Sequence, residues 1–342
     1  MTVPTTHQYI ERASGTVRDE RLLGDRLVGL LYNPVRERAD WLFRALTGPA
    51  SSSTLALLNF DLALGTRVIG RRRFLANCGI DLAECLDPPT ALDTPRKIFE
   101  RRIRYWNCRP MPVDPAVVVS PADARVLTGS LAVDDAVFIK EKFFSFDDLL
   151  GNHAIWLKAF AGGDYAVFRL TPDKYHYNHV PVSGQVVDTF TIDGSFHSCN
   201  PAAVVTVTTP YSKNRRVVTV IDTDVPDGTG VGLVAMIEVV ALMIGEIVQC
   251  YSSERYDDPR PIDTGMFLKK GQPKSLYRPG SSTDVLLFQR GRIRFADDLL
   301  ANQTRLDVNS RFTRGFREPL VETDLQLRSP IATAHHNPGV FK

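Results

Sequence analysis

The chain has 342 residues, enough for one large domain or two modest ones and too many for a small disulfide-stapled scaffold. Hydrophobic residues make up 44% and charged residues 23%, a globular balance that excludes a mostly disordered chain. A formal net charge of +2 gives no electrostatic ground for nucleic acid as the main partner.

The segment from Met1 to His7 has neither a basic flank nor an apolar run, so it does not read as a signal peptide, and a cytoplasmic chain is expected. Pro34, followed by Val35, Ala39, Leu42 and Leu46 and closed by Gly48-Pro49, predicts an amphipathic helix. The apolar run from Thr54 to Ile69 carries Asp61 and Arg67 and reads as a core helix rather than a membrane span. Thr94-Pro95 then predicts another helix start, with Phe99, Ile103 and Trp106 sharing one face. Arg96, Lys97, Arg101, Arg102 and Arg104 cover the rest of it, either as a solvated surface or as a peripheral contact with anionic lipid. Residues 1–94 are thus expected to form a helical domain.

From about Val117 the texture changes to short runs rich in Val, Ile, Thr and Phe between Gly, Pro, Asn and Asp, which predicts strands and turns. Examples are Ala136–Ile139, Tyr165–Phe168, Ala203–Val207, Val217–Ile221 and Val285–Phe288. The stretch from Val231 to Val248 is broken by Glu238 and Glu246 and reads as buried strands. Helices followed by strands predict an α+β fold, with a β-rich antiparallel sandwich or barrel-like domain over residues 95–310. From Arg311 to residue 342 periodicity fades, and a tail is expected. Five scattered cysteines without a C-x-x-C pair argue against a zinc knuckle or a disulfide framework.

Three stretches carry candidate chemistry. His176 and His179 stand three apart in a segment that Pro181 and Gly184 mark as strand and turn, where such residues point to opposite sides. They read as separate catalytic groups, as two structural histidines or, with no Cys or Glu beside them, more weakly as metal ligands. Lys270–Asp284 is rich in Gly, Ser and Pro and leads into the strand Val285–Phe288, but it is neither a P-loop nor a nucleophile elbow. Asp123 follows Ser120-Pro121-Ala122 at the edge of an apolar strand. Asp123, His179 and a serine at 281 or 282 together supply an orienting carboxylate, a base and a nucleophile.

Taken in order, these stretches resemble the phosphatidylserine decarboxylase family. Ser120-Pro121-Ala122-Asp123 is similar to its S-P-A-D-G stretch, and Tyr175-His176-Tyr177-Asn178-His179-Val180-Pro181 to its Y-H-x-x-H-x-P stretch. Lys270-Gly271 and Gly280-Ser281-Ser282-Thr283 resemble its K-G-x-E-x-G-x-F-x-x-G-S-T processing segment, and Ile139–Gly151 resembles a segment ahead of the catalytic residues. The likeness runs over roughly residues 95–300, and the region before it resembles the extra domain of a subgroup, some of whose members act on free amino acids.

The resemblance implies a self-processing enzyme. A serine attacks the preceding carbonyl, with His179 as base and Asp123 orienting it. The chain is cut, and the serine becomes a pyruvoyl group that decarboxylates an amine-bearing substrate through a Schiff base. His176 matches the histidine implicated in decarboxylation itself. The implied substrate is phosphatidylserine or a free amino acid. No metal is expected, the two cleaved chains stay associated, and a homo-oligomer is left open. Pro273 and Ser275 depart from the family's Glu and second Gly. Counting from Lys270-Gly271 puts the reactive serine at Ser281 after Gly280, whereas counting back from the strand puts it at Ser282, the choice favoured by members with G-G-S-T. A serine hydrolase with an Asp-His-Ser triad and an unprocessed, non-catalytic relative are the alternatives.

Overall fold

The computed structural model describes residues 6–20, 79–131, 143–195, 197–206, 209–241, 246–279 and 282–335. The predicted helices at 34–47 and 54–69 and the predicted strand at 136–139 lie outside them.

The backbone of the fold is a ten-stranded sheet, ordered β11-β7-β8-β9-β13-β5-β4-β15-β1-β2. Its strands are β1 (Gln8–Glu11), β2 (Thr16–Asp19), β4 (Ala124–Ser130), β5 (Asp164–Leu170), β7 (Gly184–Ile192), β8 (Arg216–Asp222), β9 (Leu233–Val240), β11 (Phe267–Leu268), β13 (Ser282–Phe288) and β15 (Thr323–Leu325). Pairing is antiparallel except between β1 and β15. Two three-stranded sheets accompany it. One orders β10 (Ile247–Gln249), β12 (Pro273–Tyr277) and β6 (Tyr177–His179); the other orders β14 (Ile293–Phe295), β16 (Pro330–Ala334) and β3 (Val117–Val119). The sheet is open rather than a closed barrel, and the α+β expectation holds.

Alternation along each strand gives the large sheet two buried faces. Leu286 and Phe288 of β13, Met236 and Val240 of β9, and Phe168 and Leu170 of β5 pack toward the small sheets, against Tyr277, Phe295 and Ile331. Val285, Leu287, Ile237 and Val167 face the other way, against helical side chains. These come from α3 (Phe146–Leu149), α4 (Ala154–Phe160), α5 (Pro201–Thr206) and α6 (Arg311–Phe316). The core therefore has three layers, and β13 lies in the middle one.

Several expectations are corrected. Residues 8–19 form a hairpin on the large sheet rather than part of a helical domain; Gly15, at φ +67°, closes its turn. The helix that starts at Thr94 ends early. Thr94 caps α1 (Pro95–Phe99) by accepting the Lys97 N–H at 3.2 Å, but the chain then straightens and α2 (Tyr105–Cys108) begins anew. Tertiary contacts override the helical periodicity here: Ile103 bridges Cys85, and the Tyr256 hydroxyl engages both the Ile103 N–H and its carbonyl. Residues 203–206 are helical, not a strand, because Asn200 accepts the Ala202 N–H at 2.8 Å and Pro201 sits in the first turn; the start signal outweighs the β-branched run. The described residues from Arg311 to 335 are not a loose tail, since α6, β15 and β16 all belong to the body.

Candidate active site

The turn Ser120–Asp123 joins β3 to β4 and grips the histidine strand through the backbone. The Pro121 carbonyl accepts the His179 N–H at 2.7 Å, and the Val119 N–H reaches the Pro181 carbonyl at 3.0 Å. Asp123 fixes this turn. Its carboxylate takes a two-pronged hydrogen bond from Arg109 at 2.9 and 2.8 Å and a third from the Leu327 N–H at 2.7 Å. Burial alone raises its pKa, but the Arg109 hydrogen bonds and charge outweigh that and hold the group below the usual carboxylate range. Asp123 makes no hydrogen bond to His179.

The His179 imidazole is instead oriented by Gly271. Nδ1 lies 2.9 Å from the Gly271 carbonyl, an acceptor, which assigns the ring proton to Nδ1 and leaves Nε2 as the lone-pair nitrogen, 3.0 Å from the Tyr175 hydroxyl. Gly271 has φ +76°, and a Cβ there would stand 2.4 Å from the Met111 sulfur, so both conformation and space call for glycine. Its N–H donates to the Val180 carbonyl at 2.8 Å, which ties the loop to the histidine strand. Tyr105 packs edge-on against His179 with centroids 4.6 Å apart, and Tyr175 meets Tyr256 hydroxyl to hydroxyl at 2.7 Å. Burial in this aromatic setting pulls the His179 pKa down to about 3, so the ring is neutral at ordinary pH.

His176 points elsewhere. Its ring stacks on Phe99 of α1 at 3.6 Å and 12°, fully buried, with the backbone of Thr171 and Pro172 as its polar neighbours. Burial, and then Arg101, push its pKa well below the usual value. The segment is extended and the two rings have separate surroundings, as the spacing predicts. The His176 carbonyl accepts the Tyr277 N–H at 3.1 Å, which brings the end of the processing segment to the histidine pair.

Ser282 is the first residue of β13, opposite Leu170 of β5 and Val240 of β9. It is fully buried and its hydroxyl has no partner among the described residues. Gly280 and Ser281 lie outside the described residues. Pro273 and Ser275 sit within β12, where a register shift against β6 falls between them; a proline at such an irregularity costs no ladder hydrogen bond.

Sequence reasoning passed over one group beside the serine. Glu238 of β9 lies directly across from Asp284 of β13, and both are fully buried. Glu238 takes Lys274 Nζ and Gln249 Nε2 at 2.7 Å each and bonds to Ser275, while Asp284 meets the Tyr277 hydroxyl at 2.7 Å. The available signal was an acid inside each of two apolar strands. Elsewhere, His7, Glu20 and Glu322 bring metal-ligand atom types together, but Arg169 already spans both carboxylates at 2.7 and 2.5 Å, and the charge there is balanced without an ion.

Comparison with known proteins bears directly on this arrangement. The family model described as phosphatidylserine decarboxylase matches residues 96–314, a span that contains Asp123, both histidines, Gly271 and Ser282. The chain belongs to the phosphatidylserine decarboxylase family. It is 31% identical to a phosphatidylserine decarboxylase proenzyme of Chlamydia pneumoniae, over 90% of this chain and 95% of that protein. It is 32% identical to a proenzyme of the same name from Anaeromyxobacter, over 74% of this chain and 89% of the relative. For the one from Fusobacterium nucleatum the figures are 25%, 89% and 96%. Membership places the chain among carboxy-lyases and disfavours the serine-hydrolase alternative. No helix among the described residues is long and apolar enough to cross a membrane.

Proposed function

We propose that this chain is a proenzyme that cuts itself before Ser282, converts that serine into a pyruvoyl group and removes carbon dioxide from the serine headgroup of phosphatidylserine, leaving phosphatidylethanolamine. One observation carries the reading. Ser282 presents a fully buried hydroxyl, without a partner among the described residues, at the head of a central strand within the span that the family model matches. Buried polar atoms are paired as a rule, so an unpaired one at a reactive position marks a group held for chemistry. The residue also suits the pyruvoyl group, which is made from a serine and left at a new N-terminus; Ser282 then heads a strand laddered on both sides.

In this reading Nε2 of His179 is the base that receives the serine proton. Gly271 fixes its tautomer, and the buried setting keeps it unprotonated until about pH 3. Asp123 acts through the backbone, by holding the turn whose Pro121 carbonyl anchors His179. His176, neutral and pressed on Phe99, serves the decarboxylation half as the group that holds a proton near the substrate. Once formed, the pyruvoyl group supplies an electron-withdrawing ketone that engages the substrate amine and accepts the electrons left behind by carbon dioxide.

A cavity of about 310 Å³ borders Val240, the cross-strand partner of Ser282, with Thr191, Arg215, Val217, Ile247 and Gln249 among its walls. The names of the relatives favour the lipid over a free amino acid. Denaturing intact mass tests the cut: wild type is expected as two chains meeting at residues 281 and 282, Ser281→Ala as two, and Ser282→Ala as one. A single wild-type chain, or a cut Ser282→Ala, would overturn the assignment. Carbon dioxide release from phosphatidylserine liposomes, beside a panel of free amino acids, tests the substrate; release from amino acids alone would remove the lipid.

A further inference from the structure

We propose that Tyr277 and Asp284 form a clamp across the cleavage point, which holds the end of the large chain against the start of the small chain once the backbone between them is cut. The proposal rests on the Ser282 reading above. Tyr277 ends β12 on the small sheet that carries the histidine strand, and its N–H holds the His176 carbonyl. Its hydroxyl crosses to β13 and meets the Thr283 carbonyl at 3.0 Å and Asp284 Oδ1 at 2.7 Å. Tyr277 stays with the large chain after cleavage, while Thr283 and Asp284 become the second and third residues of the small one. The peptide link that ties the two sheets here is then gone, and in addition to the β5 and β9 ladders these two hydrogen bonds hold the start of the small chain to β12. Asp284 and residue 282 point to the same face of β13, so the clamp also sets residue 282 relative to His176.

Counting protons shows how the clamp is wired. A phenol has one hydrogen and a carbonyl can only accept, so with the Tyr277 proton on the Thr283 oxygen the contact to Asp284 uses the acid's own proton. The surroundings keep that proton in place. Asp284 faces Glu238 from β9, apolar Phe168 from β5, and Tyr277 and Lys274 from β12, while Lys274 is occupied by Glu238 and Gln249. Burial and then the Glu238 charge raise the Asp284 carboxyl well above its usual range.

The clamp is a positioning device and is tested on the full, self-cleaved protein. Tyr277→Phe and Asp284→Val are expected to be cut as completely as wild type. They should then lose about tenfold in kcat with KM little changed, and release the small chain on gel filtration at lower urea. Asp284→Asn keeps a donor for the Tyr277 oxygen but cannot ionise. It should recover most of what Asp284→Val loses and lack the alkaline fall in kcat and in small-chain retention expected of wild type. Wild-type kcat and urea release in Tyr277→Phe, or an unchanged alkaline fall in Asp284→Asn, would overturn the clamp while leaving the Ser282 reading intact. An uncut wild-type chain in denaturing mass would overturn both.

Discussion

Two buried polar regions lie back to back on the large sheet and follow opposite rules. On the helix-covered face, Arg169 stands in register with Thr283 of β13 and binds Glu20 and Glu322, with Arg125 beside Glu20 and His7 on Glu322. Charge meets charge there, and the cluster pins the N-terminal hairpin and β15 to the sheet. On the other face, the Ser282 hydroxyl and one oxygen each of Asn178 and Asp284 have no partner among the described residues. The first region is built on charge pairing, although Arg125 Nε and Asp324 Oδ1 also lack a hydrogen-bond partner among the described residues; in the second the unpaired atoms surround the head of β13.

The comparison is broken most severely by removing one member of the ionic cluster. Glu322→Ala leaves Arg169 and Arg125 to share Glu20, with one buried positive charge uncompensated, and stability in urea should fall by about 3–5 kcal/mol; a loss under 1 would mean that the cluster is not the anchor it resembles. Acid comes next. The unfolded chain takes up a proton at histidine below about pH 6.5 while folded His179 resists until about pH 3, so the stability from its neutral burial is lost as pH falls through that window. By pH 4.5 its share of the loss should be about 2–3 kcal/mol, checked as the part of the acid dependence that His179→Gln removes. Gly271→Ala forces a side chain into φ +76° and should cost about 1–2 kcal/mol, with slower cleavage because the His179 carbonyl partner moves. Asn200→Ala removes a helix start remote from the serine and should cost about 1 kcal/mol with normal cleavage; slowed cleavage would blur the division between the two regions.

Much of the site was legible because its chemistry is carried by short runs in order. The S-P-A-D turn and the histidine pair pointed to segments that the fold does bring together through their backbones. Their mutual contacts were not legible. Asp123 was expected on the His179 ring, yet Arg109, fourteen positions earlier, claims its carboxylate, and the ring goes to a backbone carbonyl. Nothing in one sequence marks which arginine reaches a buried acid. Glu238 and Asp284 stood out only as charges within apolar runs, and their pairing depends on strand register. In the fold, the strands around β13 were readable from their β-branched runs. The helix at 201–206 was missed because Val204 and Val205 hid the Asn-Pro start, and the hairpin at 8–19 because its strands are too short to show a period.

The central claim is that Ser282 is the residue this chain reacts upon. Peptide mass of the small chain, read before and after borohydride, tests it most directly. The expected result is an N-terminal peptide that runs into Thr283-Asp284-Val285, carries a pyruvoyl group in place of serine 282 and gains two hydrogens on reduction. An N-terminal peptide that still contains an intact Ser282, or one that borohydride leaves unchanged, would contradict it.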